Sequence, residues 1–180
     1  FQTARPDVVL VSSPPLTVGA LGPLLGRRFG APWLLEVRDI WPESAASVGW
    51  LAEESLLYRG LERLAHRLAS GARAVIVPTP GLVDRAREHG ARSVEVIPGV
   101  VTDAAITDGE RESARRSLGV SAETCVFVYA GAVGVANDLD TLVDAASSLA
   151  PHVDATIVIA GDGSAREGLE RRAHSLPHSR

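Results

Sequence analysis

The chain has 180 residues, 46% hydrophobic and 22% charged, a balance that suits a soluble globular protein of one large or two small domains. Its net charge of −4 gives no electrostatic reason to expect nucleic acid as a partner. All 18 basic residues are arginine, which rules out a lysine nucleophile or a P-loop lysine in this sequence.

No apolar stretch approaches the ~18–20 residues of a membrane span, and no signal peptide opens the chain, so the expected location is the cytoplasm. There is no methionine, which leads us to expect an internal piece of a longer protein. The single cysteine, Cys125, lies in the apolar run T-C-V-F-V-Y-A and is expected to be a buried core thiol.

Strands are predicted at Val8–Val11, Trp33–Val37, Ala74–Val77, Val94–Ile97, Cys125–Tyr129 and Ala155–Ile159, where short β-branched runs occur. Helices are predicted between them, at Thr17–Phe29, Glu53–Ala69, Pro80–Glu88, Gly109–Leu118, Asp140–Leu149 and Ala165–His174. The helix from Glu53 is the clearest, with Leu57, Leu61, Leu64 and Leu68 at helical spacing and charges on the other face. This alternation implies βαβ units, hence an α/β fold with parallel sheets flanked by helices. The rhythm fails from Pro98 to Asp108, where neither period is visible. We read a linker there, separating residues 1–102 from 103–180; a long loop within one sheet is the alternative.

The segment Trp33–Ser44, W-L-L-E-V-R-D-I-W-P-E-S, carries the most chemistry. A strand buried in a parallel sheet is normally apolar throughout. Three charges at its carboxyl end are costly unless paired or facing a cleft, and open α/β sheets place ligands at that end. Glu36 and Arg38, two apart, share a face and can form an ion pair. Asp39 ends the strand pointing the other way, either as a ligand contact or bonded to backbone N–H groups of the next turn. Ser12 and Ser13 follow the first strand, in a loop stiffened by Pro14 and Pro15, on the same rim.

Gly131 and Gly134 follow the fifth strand in a G-x-x-G spacing before a helix, where backbone can approach a phosphate. Asp138 and Asp140 equally suit that helix start with no ligand present. Gly161-Asp162-Gly163 reads as a tight turn, and the dinucleotide spacing G-x-G-x-x-G is not completed after it. Glu54 and Glu62 have an E-x7-E spacing but fall on the exposed face of the leucine-striped helix. The five histidines, His66, His89, His152, His174 and His178, show no metal-ligand spacing, so no metal is assigned. No G-x-S-x-G elbow supports a serine hydrolase.

In order, D-V-V-L-V-S-S-P-P-L, L-E-V-R-D-I-W-P-E-S, V-I-V-P-T-P-G, V-E-V-I-P-G-V-V, V-Y-A-G-A-V-G and I-A-G-D-G-S-A-R-E-G-L-E resemble the family 4 glycosyltransferases of GT-B fold. The likeness is closest to the branch that builds bacterial O-antigen, capsule and exopolysaccharide, including acetamido-sugar transferases, and spans Pro6 to Ala173. It implies two Rossmann-like domains, both incomplete here, with the acceptor held by the first and the nucleotide sugar by the second. On that picture Arg38 and Asp39 are the catalytic candidates, standing where relatives often carry a His-Asp pair. Ser12, Ser13, Glu36 and Glu43 fall on the acceptor side, and Gly131, Gly134 and Asn137 on the donor side.

The resemblance further implies transfer with retention, without metal or other cofactor, from a nucleotide sugar to a lipid-linked or other saccharide acceptor. Peripheral association with the inner membrane face goes with such an acceptor. The departures are specific. The acidic E-x7-E of the donor domain is not reached after Gly163, and Val135, Asn137 and Asp138 stand where basic residues are common. The crossover reads I-P-G-V-V-T in place of I-P-N-G-V-D. This piece alone is therefore expected to be inactive. A UDP-sugar 2-epimerase-like enzyme and a non-catalytic degenerate module are the alternatives.

Overall fold

The computed structural model describes residues 5–100, 105–149 and 153–176. The chain divides into two compact units, residues 1–102 and 103–180.

The first unit is built on four parallel strands: β1 (Val9–Ser13), β2 (Trp33–Val37), β3 (Val75–Val77) and β4 (Val94–Val96), in that spatial order. The register pairs Ser12 with Glu36 and Ser13 with Val37. One face carries Val9, Val11, Trp33, Leu35, Val75 and Val77, all buried. Against it pack α1 (Leu16–Gly19), α2 (Leu21–Phe29), α4 (Leu56–Gly71) and α5 (Val83–Glu88) through Leu16, Leu25, Leu68, Ala69 and Ala86. A short helix, α3 (Glu43–Ser47), lies between β2 and α4.

The segment expected to be one helix over 17–29 is two. Pro23 has no N–H to give the carbonyl of Gly19, and its ring would crowd that carbonyl, so the helix restarts at Leu21 with proline in its first turn. A Cβ on Gly22 would overlap the Trp33 indole, which is how α2 lies so close to β2. The long helix begins at Leu56, three residues later than expected, because Ser55 caps it by accepting the Tyr58 N–H at 3.0 Å. Leu57, in the first turn, is exposed, while Leu68 is buried.

Among the described residues of this unit, the helices in its core pack on one face of the sheet. The second face presents Leu10, 59% exposed, with Leu34, Glu36 and Ile76 half-buried, and none of these belongs to the core. Ser12 and Ser13 also differ from expectation: they complete β1, so alternation sends them to opposite faces.

The second unit holds α6 (Asp108–Leu118), then β5 (Cys125–Ala130) paired in parallel with β6 (Ala155–Ala160), followed by α7 (Asp140–Leu149) and α8 (Arg166–His174) in its core; in chain order α7 separates the two strands. Thr107 and Glu110 form a reciprocal cap at the start of α6. Val133, Leu139, Val143 and Leu169 make a small core with Tyr129 and Ile159. Cys125 is exposed, contrary to the expected core thiol: a two-stranded sheet covered over so few positions leaves most of β5 facing solvent.

Candidate functional site

Because all four strands of the first unit run the same way, their carboxyl ends share one rim. The Arg38 N–H donates to the Ser13 carbonyl at 2.8 Å, tying the end of β1 to the residue after β2. The Ser-Ser-Pro-Pro and Arg-Asp segments therefore sit side by side. Behind them is a small cavity of about 20 Å³, room for roughly one water, lined by Ser13, Val37, Asp39, Trp41 and His89 among others.

Asp39 is exposed at the rim, and it bonds a side chain, not the backbone of the next turn. Ser44 Oγ lies 2.5 Å from Asp39 Oδ1 and 2.8 Å from the Ile40 carbonyl, so one hydroxyl fixes the carboxylate relative to the turn. Glu36 and Arg38 do not form the expected ion pair. Ser12, in register on β1, donates to Glu36 Oε2 at 2.7 Å, while β2 ends at Val37 and releases Arg38 to solvent.

Glu43, at the start of α3, is the best-connected acid of the rim. Its Oε1 accepts from Arg85 Nε at 2.8 Å, from Arg85 Nη2, and lies 3.1 Å from His89 Nε2. Arg85 also donates to Glu88 at 2.6 Å. Oε2 of Glu43 is buried without a hydrogen-bond partner among the described residues. Burial pushes the Glu43 carboxyl up, but the amide of its own backbone, the Arg85 hydrogen bond and the charges of His89 and Arg85 outweigh it and hold the group below its ordinary value. Bonds to Glu88 and then Glu43 raise Arg85 above its own. The result is an ionised clamp from α3 to α5 that keeps His89, with its side chain 11% exposed, against the cavity shared with Asp39.

In the second unit the loops after β5 and β6 close on one another. Gly131 donates to the Ala160 carbonyl at 3.0 Å and Val133 to the Asp162 carbonyl at 2.9 Å. A Cβ on Gly161 would overlap the Gly131 carbonyl oxygen, so glycine there serves this close approach. Gly134 precedes the 3-10 turn Val135–Asn137, and the Asn137 N–H donates to the Gly134 carbonyl at 3.0 Å. Asp138 follows at φ 44°, with its carboxylate accepting from Thr141 Oγ1 at 3.1 Å. Gly131, Gly134 and Asn137 thus lie on one loop at the carboxyl end of β5.

Residues 1–99 match the family described as glycosyl transferase 4-like domain. The chain belongs to this family. It is 27% identical over 175 residues to the Pseudomonas aeruginosa protein named "Probable glycosyltransferase WbjE", covering 96% of this chain and 44% of that protein. Among solved structures it is similar to Anabaena HepE in complex with UDP-glucose (TM-score 0.72, 19% identity) and in complex with UDP (TM-score 0.69, 18% identity). Each match covers 93% of this chain and 45% of that one, so the chain spans less than half the length of the relatives it matches. The GT-B assignment of both parallel-sheet units agrees with these neighbours. The family match falls on the unit that carries Asp39, Glu43 and His89.

Sequence reasoning missed Ser44, Arg85 and His89. The helical phase of Arg85 and His89, four apart and facing one way, was available as a signal. Nothing in the sequence connected that face to Glu43, more than forty residues earlier.

Proposed function

We propose that the full-length protein is a glycosyltransferase that moves a sugar, hexosyl or acetamidosugar, from a nucleotide-sugar donor to a saccharide acceptor. The observation that carries this reading is the convergence of Ser13, Asp39 and His89 on the carboxyl rim of four parallel strands, in a chain of this family. Open α/β sheets hold ligands at that rim. The named relatives and the UDP and UDP-glucose complexes of HepE support a nucleotide-sugar donor.

In this reading the first unit holds the acceptor. Asp39, oriented by Ser44, takes its hydroxyls; Ser12, Ser13, Glu36 and Glu43 order the rim around it. Arg38, free of a partner acid among the described residues, is a clamp for a phosphate or a sugar hydroxyl at the same rim. The Gly131–Asn137 loop offers the donor diphosphate its backbone N–H groups other than those of Gly131, Val133 and Asn137, which bond within the protein, because negative charge grows there as the sugar leaves. Transfer proceeds with retention and without a metal. The acceptor is lipid-linked, the pathway makes cell-surface polysaccharide, and the protein works in the cytoplasm at the inner membrane face.

The test is Asp39→Asn and Arg38→Ala in the full-length protein, with UDP-glucose as first donor and other UDP-, GDP- and dTDP-sugars after it. Each variant is expected to lose ~10²-fold or more in kcat/KM with an unchanged melting temperature. Unchanged transfer would remove both residues from the chemistry. A second reading, a non-catalytic module, draws on one observation: residues 131–138 contain no arginine. It predicts that the full-length protein binds a nucleotide sugar weakly or not at all and transfers none.

A further inference from the structure

Two stretches of the first unit read almost alike: Gly71-Ala72-Arg73-Ala74-Val75 and Gly90-Ala91-Arg92-Ser93-Val94. Each follows a helix and leads into a strand, β3 in one case and β4 in the other. These strands are parallel neighbours, with Val75 paired to Val94 and the Val75 N–H donating to the Ser93 carbonyl at 2.9 Å. Arg73 and Arg92 each stand two residues before these paired valines, at the amino ends of the two strands. Neighbouring strands stand about 4.8 Å apart, so the two side chains start from adjacent rows.

Like charges placed opposite each other on a sheet are destabilising. Here neither guanidinium has a carboxylate within 4.0 Å among the described residues. Arg85, Arg87, Arg116, Arg166 and Arg172 each hold an acid. Other arginines, Arg38 among them, also lack an acid among the described residues, but Arg73 and Arg92 together line one open groove of about 470 Å³ with Ser70, Ser93 and Trp33. The two serine hydroxyls are only loosely engaged, Ser70 with the Arg67 carbonyl and Ser93 with Glu95, each at 3.4 Å. The carboxyl end of α4 brings about half a negative charge to this rim. Two full positive charges exceed it.

We propose that this groove binds a phosphate group, with Arg73 and Arg92 as a two-sided fork and Ser70 and Ser93 as hydroxyl donors. Guanidinium groups suit this because their planar N–H pairs match phosphate oxygens. The groove lies at the amino ends of the strands, the opposite rim from Asp39, so it is independent of the transfer reaction proposed above. The phosphate comes either from a soluble ion or ester or from a lipid headgroup; both present the same oxygens.

Calorimetric titration of the chain with inorganic phosphate at low ionic strength tests the first source. Sedimentation with vesicles of 30% phosphatidylglycerol in phosphatidylcholine, against pure phosphatidylcholine, tests the second. We expect saturable binding in at least one arm, weakened tenfold or more in Arg73→Gln/Arg92→Gln and weakened less in Arg73→Lys/Arg92→Lys. Arg27→Gln/Arg111→Gln, with the same net charge, is expected to bind as the parent does. Phosphate should raise the melting temperature of the parent and not of the Arg73→Gln/Arg92→Gln variant. Vesicle binding that millimolar phosphate does not displace assigns the headgroup; titration without vesicle binding assigns the soluble ion. The proposal is overturned if the parent binds neither probe, or if the Arg73→Gln/Arg92→Gln variant binds as well as the charge-matched control.

Discussion

The rim of the first unit and the loop pair of the second are both strand ends, but they are made of different material. At the first rim side chains do the organising: Ser44 holds Asp39, and Glu43 holds Arg85 and His89. In the second, backbone meets backbone, with Gly131 and Val133 bonded to the chain around Gly161. A rim organised by side chains can lose one function at a time when a single group changes. A loop organised by backbone tolerates exchange of its exposed side chains and fails as a whole when a Cβ intrudes.

Substitutions separate these two behaviours. The largest effect belongs to Asp39→Asn in the full-length protein, where the proposed loss of ~10²-fold or more in transfer should leave the melting curve in place; a variant that melts early would make Asp39 structural and blur the contrast. Gly161→Val comes next. Its side chain cannot fit beside the Gly131 carbonyl, and we expect a cost of roughly 2–4 kcal/mol, read by urea unfolding of the second unit.

Glu43→Gln should cost about 1 kcal/mol at neutral pH, since the clamp is partly exposed and screened. The pH sign follows from the lowered carboxyl. Its contribution is complete above the ordinary value of 4.5 and is lost as pH falls through the lower folded value, so the gap between parent and variant closes on acidification. A gap independent of pH would place the effect in packing. Thr107→Ala is the smallest, ~0.5–1 kcal/mol, because it removes one cap from an exposed helix.

What could be read from the sequence follows the same division. The strands were legible because short β-branched runs bounded by glycine and proline have few other uses, and Trp33–Val37 has the bounds expected of it. The shared rim followed from parallel order alone. The partners of the site residues were not legible. Glu36 chose Ser12 over Arg38 because cross-strand register, invisible in one segment, set a hydroxyl opposite it. Helix α3 was missed because E-S-A-A-S is too short to show a period. Cys125 was misjudged because apolar neighbours in sequence do not guarantee a covering layer.

The partly exposed second face of the first sheet has a calorimetric consequence. Leu10 is already wet in the native chain, and Leu34 and Ile76 are partly so. Unfolding then hydrates less new hydrocarbon than chain length suggests. The heat-capacity increment should fall below the ~12–15 cal/mol/K per residue of ordinary domains, flattening the dependence of stability on temperature.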